Sequence, residues 1–146
     1  MSTNTAQALC VVETGASAEG EPPAQPRNQG RVTIITFGFK YGPPPANYTF
    51  DVSFVRNPAR DPRWGLFADA TAEGMAEFVL QQPQAEAFLT NLIPLIDVLS
   101  RCDDDLRIGL GCSAGRHRSR IMAAELIRRL DEQGIQANLI HREELL

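Results

Sequence analysis

LRIGLGCSAGRHRSRIMAAELIRRLDEQGIQANLI, residues 106–140, changes its hydrophobic period twice. Leu106 to Cys112 is a short apolar run, as expected of a strand buried on both faces. From His117 to Gln133, Ile121, Ala124, Leu126, Ile127 and Leu130 give a helix one apolar face, and Gly134 supplies a stop. Ile135 to Ile140 is again strand-like. Strand, loop, helix, strand is one right-handed βαβ crossover, so at least part of the sheet is expected to be parallel.

Working outward, Arg31 to Phe39 (RVTIITFGF) is β-branched and aromatic, a second strand of the doubly buried kind. Gly42-Pro43-Pro44-Pro45 forbids regular structure. Tyr48 to Val55 (YTFDVSFV) alternates and predicts a strand, and Arg56 to Gly65 a loop. Asp69 to Gln81 has helical spacing through Met75, Phe78 and Val79, and Pro83 starts a further helix to about Leu99. Pro94 is expected to kink or divide that helix. The order β-β-α-α-β-α-β predicts an α/β three-layer sandwich with a short mixed, mostly parallel sheet. A phosphate-binding loop is expected between strand and helix.

Composition sets bounds on this reading. The 146 residues are 43% hydrophobic and 22% charged, ordinary for one globular domain, with a formal net charge of −4. That charge disfavours a strongly basic nucleic-acid binder. No apolar run is long enough for a membrane span, and with no basic-then-apolar stretch at its start no secretory signal is expected. Three cysteines (Cys10, Cys102, Cys112) do not make a disulfide scaffold, so a cytoplasmic location is expected. Residues 1–30 lack Phe, Tyr, Trp and Ile; they predict a disordered tail ahead of a domain over 31–146. Asp103-Asp104-Asp105 lacks calcium-loop spacing, and no metal site or cofactor is expected.

The chemistry concentrates in Cys112-Ser113-Ala114-Gly115-Arg116-His117-Arg118-Ser119. Small residues between a strand and a helix N-terminus let backbone N–H groups converge on an anion, and the helix dipole adds partial positive charge there. Arg116, Arg118 and His117 add cationic or polar donors. Phosphate is the anion this pattern fits best. Cys112 and Arg118 also satisfy C-x5-R, followed by Ser119. That resembles the phosphate loop of cysteine-dependent protein tyrosine phosphatases, in which the Cys attacks as thiolate. Gly111 stands where those enzymes carry His, and the general acid would have to be Asp51, Asp61 or Asp69. Arg56, Arg60 and Arg63, in one loop with Trp64, offer an RNA or acidic-partner patch or simply a solvated loop.

A second resemblance covers more of the chain. FGFKYG at 37–42, FDVxFxxNP at 50–58, EFVLxQP at 77–83, GCxxGxHRS at 111–119 and His141-Arg142 occur in register. Together they resemble the C-terminal domain of the RNase adaptor RapZ family. The resemblance implies a regulatory domain that senses an amino-sugar phosphate such as glucosamine-6-phosphate, with a protein or RNA partner and self-assembly. It places Ser113 to Ser119 on the phosphate, with Lys40, Tyr41, His141 and Arg142 facing the same pocket. This chain departs at Ser53, Arg56 and Ala114, and Glu143-Glu144 replaces a basic end. No G-x-x-x-x-G-K-[ST] occurs, so no P-loop use of ATP or GTP is expected. Binding without catalysis is the favoured expectation, with Cys112 structural. A phosphatase using Cys112 and Arg118 and an RNA-binding adaptor are the alternatives.

Overall fold

The computed structural model describes residues 30–64 and 70–145. The expected tail falls almost wholly outside this range, as does Asp69. Arg31–Gly38 forms β1, Tyr48–Asp51 β2, Ala72–Leu80 α1, Pro83–Cys102 α2, Asp105–Cys112 β3, Arg118–Glu132 α3 and Ala137–His141 β4. Short 3-10 turns at Phe39–Tyr41, Pro58–Arg60 and Arg142–Leu145 complete the set. The four strands form one sheet in the order β2-β3-β1-β4.

Every strand pairing is parallel, so the expected mixed sheet is parallel throughout the described residues. The crossover from β3 through α3 to β4 is present, but β1 is inserted between its two strands. Val32 pairs with Leu106 on one side and Ala137 on the other. A central strand has both faces and both edges covered, which is why Val32 to Gly38 is buried residue after residue.

The two sheet faces are built differently. Val32 and Ile34 of β1 join Leu106, Ile108, Leu110 and Cys112 of β3 in the core beneath the helices. On the opposite face Phe37 is covered by the edge of the Phe39 ring at 4.8 Å and by the Arg142 guanidinium at 5.6 Å. Gly109 and Gly111 make room for these rings, since a Cβ on Gly111 would lie 2.5 Å from Phe37 and 2.6 Å from Phe39. The glycines of LRIGLGC thus follow from aromatic packing on β1.

The helices depart from the sequence expectations in informative ways. α3 buries Ser119, Met122, Ala123, Leu126 and Leu130, while Ala124 is exposed and Ile121 and Ile127 are only partly covered. The buried stripe is rotated from the one expected, and Met122 belongs to it. Each fully buried Leu there contributes about 1.5–3 kcal/mol. Pro94 does not divide α2: its ring lies on the exposed side, opposite Leu89, Leu92 and Ile96. There it removes one backbone hydrogen bond while its ring stays out of the core. The expected strand Tyr48–Val55 ends at Asp51, whose carboxylate accepts the Ser53 N–H at 2.9 Å and turns the chain. Val52 and Val55 are then buried as loop anchors. Likewise Ile135 is not strand. Its N–H closes the end of α3 on Leu130 O at 2.9 Å, with Gly134 at φ +79°.

α1 starts at Thr71, whose Oγ1 accepts the Gly74 N–H at 3.0 Å. Thr71→Ala removes this cap and is expected to cost about 1 kcal/mol, read from urea denaturation midpoints at unchanged slope. Among the described residues no helix is long and apolar enough to cross a membrane.

Candidate functional site

Parallel strands all end at the same edge of a sheet. Here that edge gathers Gly38, Asp51, Cys112 and His141, together with the segments that follow them. This topology brings together the motifs that lie far apart in sequence, and it is the edge at which α/β sheets place ligands. The segment after β3, Ser113 to His117, passes directly over the end of β1. Lys40 N–H donates to Ser113 O at 3.2 Å. Gly38 and Gly115 touch backbone to backbone: a Cβ on Gly38 would lie 2.5 Å from Ala114 C, and one on Gly115 2.6 Å from Gly38 N. Gly115 has φ +74°, a left-handed corner that glycine adopts freely.

A cavity of 100 Å³ opens at this corner, lined by Asn57, Cys112, Ser113, Ala114, Arg116, His117 and Arg118. That is room for a few water molecules. Six of the seven belong to the continuous segment from Cys112, the last residue of β3, to Arg118, the first of α3. The seventh, Asn57, comes from the segment after β2, where its Oδ1 accepts the Ala59 N–H at 3.0 Å. Asn57 was visible in the sequence as part of FDVxFxxNP, yet only the fold brings it across from Cys112. Arg118 fastens the two segments together. Its Nη1 donates to Ser53 O at 3.0 Å and Val55 O at 3.2 Å, and its Nη2 to Ser113 Oγ at 3.2 Å. Arg116 is exposed and has no hydrogen-bond or ion-pair partner among the described residues.

Cys112, buried among the lining residues, has its Sγ 3.3 Å from Ser119 Oγ. Burial alone would push the thiol up. The Ser119 hydroxyl, the Ser119 and Gly115 N–H groups and the Arg118 charge outweigh it and hold the thiol below its ordinary value. His117 is pushed down, first by burial and then by Arg116, Arg120 and Arg118, all of which disfavour the imidazolium.

The remaining expected site residues stand around the cavity and do not line it. Lys40 meets the loop through its backbone; its ammonium lies 5.2 Å from the Tyr41 ring centroid, and both side chains face solvent. His141 Nδ1 is 2.7 Å from Thr36 Oγ1. Arg142 is paired with Glu143 and lies over Phe37. The loop arginines are mostly committed: Arg63 is tied to Asp61, Glu77 and Gly74 O, and Arg56 lies over Phe78.

Two supporting residues escaped the sequence reading. Arg120 Nε donates to Gly115 O at 3.1 Å. Glu143, which reads as part of a solvated acidic end, is buried instead: its Oε2 accepts the Gly38 N–H at 2.9 Å, and its Cγ lies 3.0 Å from where a Gly115 Cβ would be. Its pairing with Arg142 and the Gly38 N–H hold the carboxyl below its ordinary value of 4.5, against the opposing effect of burial. A depressed carboxyl contributes stability that is present above the unfolded value and lost as pH falls through the folded one. Thermal midpoints followed downward from pH 5 are therefore expected to fall more steeply for the natural protein than for Glu143→Gln.

Residues 30–144 match the family model of the RapZ C-terminal domain. The chain belongs to the RapZ C-terminal domain family. Relatives named nucleotide-binding protein include one from Corynebacterium jeikeium, 38% identical over 119 residues, covering 77% of this chain and 40% of that protein. One from Anaeromyxobacter dehalogenans is 39% identical over 118 residues, again 77% of this chain and 40% of that protein. The match to a Saccharopolyspora erythraea protein, 34% identical over 143 residues, covers 93% of this chain and 49% of that protein. It therefore reaches into the first 30 residues. The chain spans less than half the length of these relatives, and the RapZ C-terminal match takes in all four described strands and all three described α-helices.

Proposed function

We propose that this RapZ C-terminal domain binds a phosphorylated small molecule, of the amino-sugar phosphate class, at the Cys112–Ser119 loop and acts as a regulatory domain. One observation carries the reading. Beside the left-handed corner at Gly115 and at the N-terminus of α3, Arg116, His117 and Arg118 line one small cavity. Backbone N–H groups, a helix dipole and guanidinium groups together favour a compact, multiply charged oxyanion over a neutral ligand. The cavity has room for the phosphoryl group, and the rest of the ligand would lie outside it against Asn57 and the segment after β2. The relatives' name, nucleotide-binding protein, fits the same chemistry through a terminal phosphate, so a nucleotide belongs among the probes.

Phosphorus NMR of glucosamine-6-phosphate titrated with the protein tests this. The expected result is a shifted or broadened resonance, competed by inorganic phosphate. Arg116→Ala is expected to weaken binding about tenfold, the weight of one exposed charge-assisted contact, and to leave the thermal midpoint unchanged. Spectra unperturbed by glucosamine-6-phosphate, inorganic phosphate and GTP alike would overturn the proposal. A response to GTP alone would replace the sugar with a nucleotide.

A further inference from the structure

Cys112 is more than a buried strand end. Cys112, although only 3% exposed, is one of the residues that line the cavity, and Arg118, six residues on, lines it as well. Ser119 Oγ, 3.3 Å from Sγ, can donate to a thiolate. The N–H groups of Gly115 and Ser119 also point at the sulfur. A phosphoryl group seated in the loop would therefore rest on a nucleophile, not on an inert wall. What the cavity lacks is equally informative. Among the described residues no carboxylate lines it. Asp51 accepts the Ser53 N–H, and Asp61 is paired with Arg63. His117, the titratable neighbour of the loop, is held below its ordinary value by burial and the adjacent arginines, which disfavours the protonated form a general acid needs.

We infer that Cys112 is a phosphoryl-accepting nucleophile that turns over aryl and acyl phosphates, whose leaving groups depart without a proton, while alkyl phosphates such as sugar phosphates are held intact. The inference rests on the proposed phosphate binding at the same loop. In the first step the Cys112 thiolate attacks phosphorus, the S–P bond forms, and the P–O bond to the leaving group breaks. The bonding pair leaves with the phenolate or carboxylate oxygen. In the second step water attacks the phosphocysteine, the S–P bond breaks, and orthophosphate departs carrying both protons of the water. The thiolate returns to its Ser119 and backbone donors, which stabilise it as a leaving group. No redox change occurs and no co-reactant besides water is needed. An alkoxide leaving group, by contrast, requires protonation as it departs. General-acid assistance contributes about 10²- to 10⁴-fold, and here no described group supplies it. One site is thereby a receptor toward sugar phosphates and a catalyst toward activated ones.

The test incubates the full 146-residue protein with p-nitrophenyl phosphate, with acetyl phosphate and with glucosamine-6-phosphate, following phosphate release by phosphorus NMR. Expected are turnover of the first two at least 100-fold faster than of the third, and its abolition in Cys112→Ser. Ser119→Ala is expected to slow the second step and let an S-phosphorylated Cys112 accumulate, identified by peptide mass spectrometry. Because Cys112 is buried, a variant there could fail to fold. The natural protein supplies an independent readout: iodoacetamide should alkylate Cys112 at neutral pH, and inorganic phosphate should protect it. Glucosamine-6-phosphate binding without turnover of either activated substrate, or turnover that survives Cys112→Ser, overturns the nucleophile and leaves the proposed binding standing. Absence of binding by every phosphate probe defeats both.

Discussion

Gly115→Ala is expected to lower stability by about 2–5 kcal/mol and to abolish phosphate binding. Two costs add. An L-residue forced to φ +74° costs about 1–2 kcal/mol. The new Cβ would also lie 2.6 Å from both Gly38 N and Phe37 C, which are backbone atoms of the central strand and cannot rotate away. Overpacking of this kind costs about 1–3 kcal/mol. At roughly 3 °C per kcal/mol for a domain of this size, the thermal midpoint should fall by about 10 °C. The loop would lift off β1, breaking the Lys40 N–H to Ser113 O bond and moving Gly115 away from Cys112. Gly134→Ala is the control. Its φ is +79°, yet nothing lies within 4 Å of a Cβ there, so only the conformational cost of about 1–2 kcal/mol applies. Midpoints that fall equally in the two variants would refute the collision at β1.

The parts of this fold that were legible in sequence are those in which local pattern and tertiary environment agree. Arg31 to Phe39 reads as a doubly buried strand because all of it but Phe39, which starts a 3-10 turn, is one. The strand-loop-helix from Leu106 onward is similarly marked, whereas the loop's small residues were read only as an anion nest and their close approach to β1 came from the structure. Legibility failed where a residue's partner is remote. Val52 and Val55 continue the alternation of Tyr48–Asp51, but nothing in the pattern shows that the Asp51 carboxylate turns the chain toward the site. The buried stripe of α3 is set by which residues meet β1, β3 and β4, and helical spacing alone admitted the wrong rotation. Glu143 is the clearest case. Among charged neighbours it reads as solvated, and only the parallel end of β4 carries it 105 residues back to Gly38 N. Supporting residues of the site are hidden in sequence because each contributes a long-range contact and belongs to no motif.

Arg118 should separate structural from ligand-directed arginines. Arg118→Ala removes both Nη1 hydrogen bonds, leaving Ser53 O and Val55 O unpaired, and frees Ser113 Oγ. A part-buried carbonyl without a partner costs about 1–3 kcal/mol, so this variant is expected to lose stability as well as affinity. Loss of one charge-assisted contact to phosphate predicts about a 10- to 150-fold weaker dissociation constant. Arg118→Lys keeps the charge, but an ammonium on a flexible stem cannot hold two carbonyls and a hydroxyl in the planar fork. It is therefore expected to match Arg118→Ala in thermal midpoint while recovering part of the affinity. Arg116→Ala should do the reverse, losing affinity at unchanged midpoint, because that guanidinium has no partner among the described residues to release. Calorimetry of the three variants, with phosphate titrations alongside, distinguishes the roles. An Arg118→Lys protein as stable as the natural one would show that the segment after β2 is held by charge and not by the fork, and would remove the argument that Arg118 builds the cavity it lines.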